Sequence, residues 1–404
     1  MSEKASGRPL SGIRVIDLTR ILAGPFCTMN LGDMGAEIIK IEQPRKGDDT
    51  RAWGPPFVGS ESAYFLGINR NKKSVTLDLK NRHGLEILKT LIKGADVIIE
   101  NFKVGTLERW GLTREWMEMN APKVVHAQIT GYGEKGPKAG MPGYDFLLQA
   151  EAGLMAITGE EKSSPMKLGV AIVDVCTGIY AAMSILAALN ARNRTGKGQK
   201  TSVTLYDSAL SVLVNVASNY LISGDEAERY GNGHPNIVPY RDFPCGPAGD
   251  SEIALAVGND NQFAKLAVLV GHPEWSQDER YKTNPNRVRH REEVDEMVRE
   301  ALSAKKAVDW IALFESEGIP CSVINSVGDA LRSPQTKANM MIEKIEHPTA
   351  GLISMLGIPY QFSDTPAGIS APPPLLGADT DAVLSQLANI SAEELAKLRK
   401  GGAI

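Results

Sequence analysis

Residues Ile13 to Glu42 read IRVIDLTRILAGPFCTMNLGDMGAEIIKIE, and this stretch decides the fold class. Two short apolar runs, Ile13-Arg14-Val15-Ile16-Asp17-Leu18 and Glu37-Ile38-Ile39-Lys40-Ile41-Glu42, flank a loop and a helical segment around Phe26 to Met34. Short runs rich in Ile and Val suit buried strands of a parallel sheet. The alternation continues with a strand at Ser74 to Asp78, an amphipathic helix from Gly84 to Ile92, and strands at Asp96–Glu100 and Val124–Ile129. A further strand, Thr201 to Leu205, follows the glycine-rich turn Arg194–Gln199. The pattern predicts an α/β fold with Rossmann-like winding. After the first strand comes Arg20-Ile21-Leu22-Ala23-Gly24-Pro25 and not GxGxxG, which argues against a dinucleotide cofactor.

The chain has 404 residues, 43% hydrophobic and 23% charged, as expected of a globular protein of roughly two or three domains. Its net charge of -4 leaves no electrostatic footprint for nucleic acid or an anionic membrane. Cys27, Cys176, Cys245 and Cys321 show neither CxxC nor Cys/His spacing, and the histidines at 83, 126, 234, 272, 290 and 347 are unpaired in sequence. No metal is expected, and each histidine is read as a surface or loop residue. No apolar run approaches the ~20 residues of a membrane span. The N-terminus, MSEKASGRPLSG, lacks an apolar core and carries Glu3, against a secretory signal. A cytoplasmic location is expected, or the mitochondrial matrix if a presequence was removed. A polar, loop-rich region begins near Gly224, with a strand at Glu252–Val257 and a helix at Arg291–Ser303. Pro and Gly become frequent after Ser333, and a charged helix starts at Ser391.

Asp174 stands out. It ends the apolar run Gly169-Val170-Ala171-Ile172-Val173 and opens a small-residue helix from Val175 to about Leu189. A carboxylate between two apolar stretches is costly to desolvate unless held. Free N–H groups and the positive end of the helix dipole could hold it. It reads as a helix N-cap or as a partly dehydrated nucleophile, and the residues alone leave both open.

Several segments in order resemble class III coenzyme A transferases, of the formyl-CoA and carnitine-CoA transferase superfamily. They are Leu10–Asp17 with Ala23-Gly24-Pro25, Gly35–Glu42, Asn71–Ser74, Asp96–Phe102, Gly143-Tyr144-Asp145, the segment around Asp174, and Thr195–Gln199. The stretches Gly47–Arg51, Trp53–Gly59, Asn69–Ser74, Val238-Pro239-Tyr240, Tyr281–Asn284, Glu346–Thr349 and Pro372–Gly377 are similar to the succinyl-CoA:glutarate CoA-transferase branch. The glycine run of oxalate-using members is replaced by GNGHPNIVPY at 231–240, which disfavours oxalate and formate.

The resemblance implies a large Rossmann-like, CoA-binding domain from residues 1–220 and 334–404, carrying the nucleophile. A smaller α+β domain at 221–333 would cover the active site, and two subunits would interlock as rings in a homodimer. It makes Asp174 the nucleophile that carries CoA as an aspartyl thioester, with CoA as substrate and no other cofactor. The matching CoA contacts are Leu22 and Ala23 at the thiol end, Leu77 to Lys80 at the adenine, Asn101, Phe102 and Arg109 at the nucleotide and phosphates, and Tyr144 and Asp145 beside the active site. Leu22 replaces a Gln of several members, and Gln43 an Arg of some.

Gly231 and Gly233 read equally as residues of a plain loop turn or as oxyanion donors, because glycine lets backbone N–H groups approach closely. Arg51 and Tyr240 are candidates for the distal carboxylate of a dicarboxylate such as succinate or glutarate; Arg51 could equally pair with Asp48 or Asp49. Lys72 and Lys73 read evenly as a solvated basic turn or as phosphate ligands. Two alternatives stand beside the transferase: a relative of α-methylacyl-CoA racemase, and a catalytically silent acyl-CoA-binding protein. The racemase needs a His before the Asp, where this chain has Tyr144, a poor proton shuttle at neutral pH.

Overall fold

The computed structural model describes residues 7–249 and 251–404, so the reading of residues 1–6 as leaderless lies outside the described residues. The chain divides into two compact units. One takes in the described residues up to Ala152, Gly169–Val212 and Pro334–Ile404; the other Gly153–Leu168 and Leu213–Ser333. Residues 153–168 and 213–220 thus belong with the second unit, whereas the sequence reading gave them to the first.

The first unit is built on a six-stranded, all-parallel sheet. Its strands are β1 (Arg14–Asp17), β2 (Glu37–Glu42), β3 (Lys72–Thr76), β4 (Val97–Glu100), β5 (Val125–Thr130) and β6 (Lys200–Thr204). They lie in the order 3-2-1-4-5-6. That order reverses direction between β1 and β4 and leaves a crevice at the carboxyl ends of the strands, where ligands of open α/β sheets bind. Helix α1 (Ala23–Asp33) links β1 to β2, and α2 (Arg82–Lys93) lies between β3 and β4. On α2, Ile87, Leu88, Leu91 and Ile92 face a core shared with Ile16, Ile39, Val75 and Ile98. Val383, Leu384, Leu395 and Ile404 complete that core, so the chain's end seals what its beginning starts. The seam is hydrogen-bonded: Ser74 N–H donates to Asp379 at 2.9 Å and Asp78 N–H to Ala403 O at 2.9 Å.

The expected strands are present with ends shifted by a residue or two. The apolar run before Asp174 is no strand. Gly169 and Val170 form a bend, and helix α4 runs from Ile172 to Thr195 with Ala171 at its N-cap; α3 (Asp145–Glu151) precedes it. Asp174 is therefore the third helical residue and not the cap. At 24 residues α4 is also long and apolar enough to cross a membrane, contrary to expectation. Its Val173, Thr177, Ala181, Ile185 and Ala188 are buried.

The second unit has a three-stranded antiparallel sheet, with Ser251–Ala256 between Tyr240–Cys245 and Cys321–Val323. Phe243, Ile253, Phe263, Trp310 and Phe314 are packed in its core. Arg287 is also buried there, satisfied by the carbonyls of Val238 and Tyr281 at 2.8 Å and by Asp260 at 2.8 Å. Nor are all histidines at the surface: His347, in the first unit, is buried, its Nδ1 accepting from the N–H of Ala350 at 3.1 Å.

Candidate active site

The site is assembled by close backbone approaches. A Cβ on Gly131 would lie 2.4 Å from the Gly143 nitrogen, so only glycine lets the turn after β5 meet the segment entering α3. That contact presents Tyr144 and Asp145. On the other side, a Cβ on Gly178 would lie 2.6 Å from the Ala23 carbonyl oxygen, so α4 and α1 touch through bare backbone. That contact places Asp174, one helical turn earlier, beside the loop leading into α1.

Asp145 occupies the place expected of Asp174. Its Oδ1 accepts the N–H of Val173 at 2.8 Å and of Asp174 at 3.3 Å, while Oδ2 accepts from Gln149 at 2.6 Å. The anion satisfying the first amides of α4 is thus supplied by α3. Asp174 is left half-buried, with no cation among the described residues acting on it. Burial, and then the negative charge of Asp145, push its carboxyl up to about 7. The expectation that the helix N-terminus keeps Asp174 ionised is corrected accordingly.

Asp174 lines a cavity of about 390 Å³ together with Leu22, Ala23, Asn101, Phe102 and Tyr144. The cavity lies at the carboxyl ends of β1, β4 and β5, at the switch point. A second cavity, of about 160 Å³, is lined by Leu77, Lys80, Gln43 and Trp110, and shares Arg20 and Phe102 with the first. Arg109 lines neither; its guanidinium donates to Thr106 Oγ1 at 2.8 Å.

At the wall of the second cavity lies a cluster of buried charges that the sequence did not bring together. Lys40 Nζ pairs with Asp48 at 2.8 Å, both side chains fully buried. Burial opposes ionisation of Asp48, but Lys40 and the N–H and hydroxyl of Thr50 hold it down at about 2. Lys72, read as a surface turn or a phosphate ligand, is buried too, donating to Pro25 O at 2.8 Å and to Asn69 at 3.0 Å. Burial brings its ammonium down to about 8 despite the neighbouring Asp17. Lys73 pairs with Glu37 at 2.7 Å.

Arg51 is a further correction. Its Nε and Nη2 grip both oxygens of Glu42 at 2.8 and 2.7 Å, Nη2 also reaches Pro374 O at 3.1 Å, and the guanidinium lies over the Phe65 ring at 3.7 Å. It is neither free for a substrate carboxylate nor paired with Asp48 or Asp49. In the second unit, Gly231 N–H donates to Gly159 O at 3.2 Å and Gly233 N–H to Tyr230 O at 2.8 Å, so both candidate oxyanion donors are already engaged. Tyr240 stands at the start of its strand with its ring 5.3 Å from that of His234.

The profile of CoA-transferase family III matches residues 10–380. The chain belongs to CoA-transferase family III. This transferase is 42% identical over 403 residues to succinyl-CoA:glutarate CoA-transferase of Mus musculus, an alignment covering 100% of this chain and 92% of the mouse protein. It is 42% identical over 388 residues to the succinate–glutarate CoA-transferase of Agrobacterium fabrum, covering 95% and 96% of the two chains. Among solved structures, a CaiB/BaiF family protein from Brucella suis superposes with a TM-score of 0.82 at 41% identity, over 94% of this chain and 100% of that one. The protein is therefore a transferase acting on CoA thioesters.

In the transferase the structure unites Asp174, Leu22, Ala23, Asn101, Phe102 and Tyr144 around one cavity, and Leu77 and Lys80 around its neighbour. Asp145 acts through the α4 amides. Arg20 and Lys103, two cations lining the larger cavity, were missed. Their signal was position: each lies just beyond the end of a parallel strand flanking the switch point.

Proposed function

We propose that the transferase moves CoA from succinyl-CoA to a dicarboxylate such as glutarate through a thioester on Asp174. The names of the relatives support the substrate pair. One observation carries the mechanism: Asp174 lines the switch-point cavity, and no cation among the described residues acts on its carboxylate. A carboxylate solvated by water or tied to a cation is a weak nucleophile, and a held, partly dehydrated one is activated.

The Asp174 carboxylate adds to the thioester carbonyl and expels CoA thiolate, leaving a mixed anhydride. The thiolate then attacks the aspartyl carbonyl and expels succinate, giving aspartyl-CoA. The acceptor carboxylate attacks that thioester, expels the thiolate, and forms a second anhydride. Attack of the thiolate on the acceptor's acyl carbonyl releases the new thioester and restores Asp174. Arg20 and Lys103 supply positive charge around the cavity, Leu22 and Ala23 wall the thiol end, and the second cavity takes the adenine beside Leu77 and Lys80.

The cavity lining carries no histidine among the described residues, so nothing there favours the two-base chemistry of a racemase. Interlocked homodimerisation belongs to the same proposal. Its support is apolar surface that a second copy would cover: Met183 on α4 is 59% exposed, and Leu221 and Ile222 on Val214–Ser223 are 80% and 88% exposed.

The test is to incubate the protein with succinyl-CoA, quench with hydroxylamine, and measure the mass of the peptide carrying Asp174. A hydroxamate there, with turnover of glutarate exceeding that of oxalate, is the expected result. An active enzyme giving no adduct at Asp174 overturns the mechanism.

A further inference from the structure

The loop Thr19-Arg20-Ile21 stands where many Rossmann-like folds have a glycine-rich turn, and it walls the cavity holding Asp174. Here each of its residues has a backbone group gripped by a side chain from another strand or loop. Lys40 Nζ donates to Thr19 O at 2.8 Å. Asn101 takes both sides of Arg20, its Oδ1 accepting the N–H at 3.0 Å and its Nδ2 donating to the carbonyl at 2.8 Å. Asp48 Oδ1 accepts the Ile21 N–H at 3.3 Å while its Oδ2 pairs with Lys40. Ile21 is held at φ 73°. For a β-branched residue that left-handed conformation is strained, and it persists only where its surroundings over-determine it.

Lys40 and Asp48 have no place in the chemical steps. Both are enclosed, and they line the second cavity, whereas Ile21 and Leu22 line the first beside Asp174. A fully buried ion pair is weak evidence for stability, since desolvating the two charges cancels much of their attraction. Its geometry points instead to the loop: the two charges close on the carbonyl of Thr19 and the amide of Ile21, the residues on either side of Arg20.

We propose that the Lys40–Asp48 pair is a positioning device for transfer, a clamp that keeps Ile21 left-handed and so fixes the Ile21–Leu22 wall against which the thioester meets Asp174. This rests on the reading of Asp174 as the nucleophile. The clamp acts on alignment at the reacting centre: neither residue contributes to the cavity lined by Asp174, and both line the neighbouring cavity assigned to the adenine. Its loss should therefore lower kcat and spare the KM for glutarate, which does not reach the adenine cavity. A displacement of about 1 Å at a reacting centre costs on the order of 100-fold in rate.

The test compares wild type with the double variant Lys40→Met/Asp48→Asn. Both charges are removed together: the Thr19 carbonyl loses its donor, and the Ile21 amide is left with a neutral acceptor that no ammonium fixes in place. Expected is a fall in kcat with succinyl-CoA and glutarate of on the order of 10- to 100-fold, with the KM for glutarate changed less than about threefold. Acylation of Asp174 should slow by the same factor while reaching full stoichiometry, a result that mere partial unfolding would not give. Lys40→Met/Asp48→Asn with a kcat within about twofold of wild type overturns the clamp and leaves the Asp174 mechanism standing. A wild type without a hydroxylamine-trapped adduct overturns that mechanism instead. Should the double variant not fold, hydrogen exchange on the wild-type peptide spanning Thr19 to Leu22 decides: slow exchange in the free enzyme supports the clamp, and exchange at the rate of unstructured chain overturns it.

Discussion

The carboxylate of Asp145 accepts the backbone N–H of Asp174 at 3.3 Å, so the two acids share one helix end but only one is neutralised by it. Asp145 takes the amides of α4, and Asp174 is left with the repulsion. Position alone raises the carboxyl of Asp174, the arrangement expected of a group that does chemistry.

The pH dependence follows. Acylation needs ionised Asp174, so kcat/KM for succinyl-CoA should rise with pH through an apparent pKa near about 7. In Asp145→Asn the amide oxygen can still accept from α4 but the repelling charge is gone, so the profile should move to lower pH. A profile that stays in place under that substitution would show the rise to be due to burial alone.

Asp174→Asn should lose transfer by several orders of magnitude and gain stability at the same time. The folded carboxyl sits at about 7 against an ordinary 3.8, so the folded state binds the proton more tightly than the unfolded chain does. Stability from this group is fully present below about 3.8, falls as pH rises towards 7, and stays lost above. The full shift corresponds to on the order of 4 kcal/mol, and with solvent screening a gain of about 1–3 kcal/mol is expected for Asp174→Asn at about pH 8. Thermal denaturation at about pH 8 and about pH 4 checks it: the variant's advantage should vanish at the acid end.

Arg51→Ala should act on folding and not on acceptor choice. It strands Glu42, whose side chain is 1% exposed. Burial would raise that carboxyl, and the hydrogen bond from Arg51 and the charge of Lys40 hold it below the usual range. Removing one partner of a buried pair costs about 3–5 kcal/mol. The KM values for glutarate and succinyl-CoA should change by similar factors, and a selective rise for glutarate would restore Arg51 as a substrate ligand.

Gly178→Ala should lower both stability and kcat. The added methyl meets the Ala23 carbonyl and must push α1 from α4, at a cost of about 1–3 kcal/mol. Because Ala23 and Asp174 line one cavity, the same displacement misaligns the nucleophile. Gly196→Ala, at the far end of α4 with open space around it but a left-handed φ of 70°, should cost stability alone.

Strand periodicity announced the parallel sheet because β1, β2 and β4 are buried along almost their whole length and read as apolar runs. The order of motifs along the chain carried the family, and with it Asp174. Those properties are local or sequential, and the sequence by itself determined them. Which charge meets which was decided only by tertiary structure. Glu42 and Arg51 are brought together by the loop after β2, Lys72 is buried by its place on β3, and Asp145 reaches α4 from a different helix. A lysine on a strand flanked by polar residues reads as solvated, and nothing in its neighbours along the chain names the Pro25 carbonyl that receives it. Glycine amides likewise look available until the fold supplies their acceptors, as Gly159 and Tyr230 do for Gly231 and Gly233. Electrostatic partnership depends on through-space distance and desolvation, and both are set by packing between residues far apart in the chain.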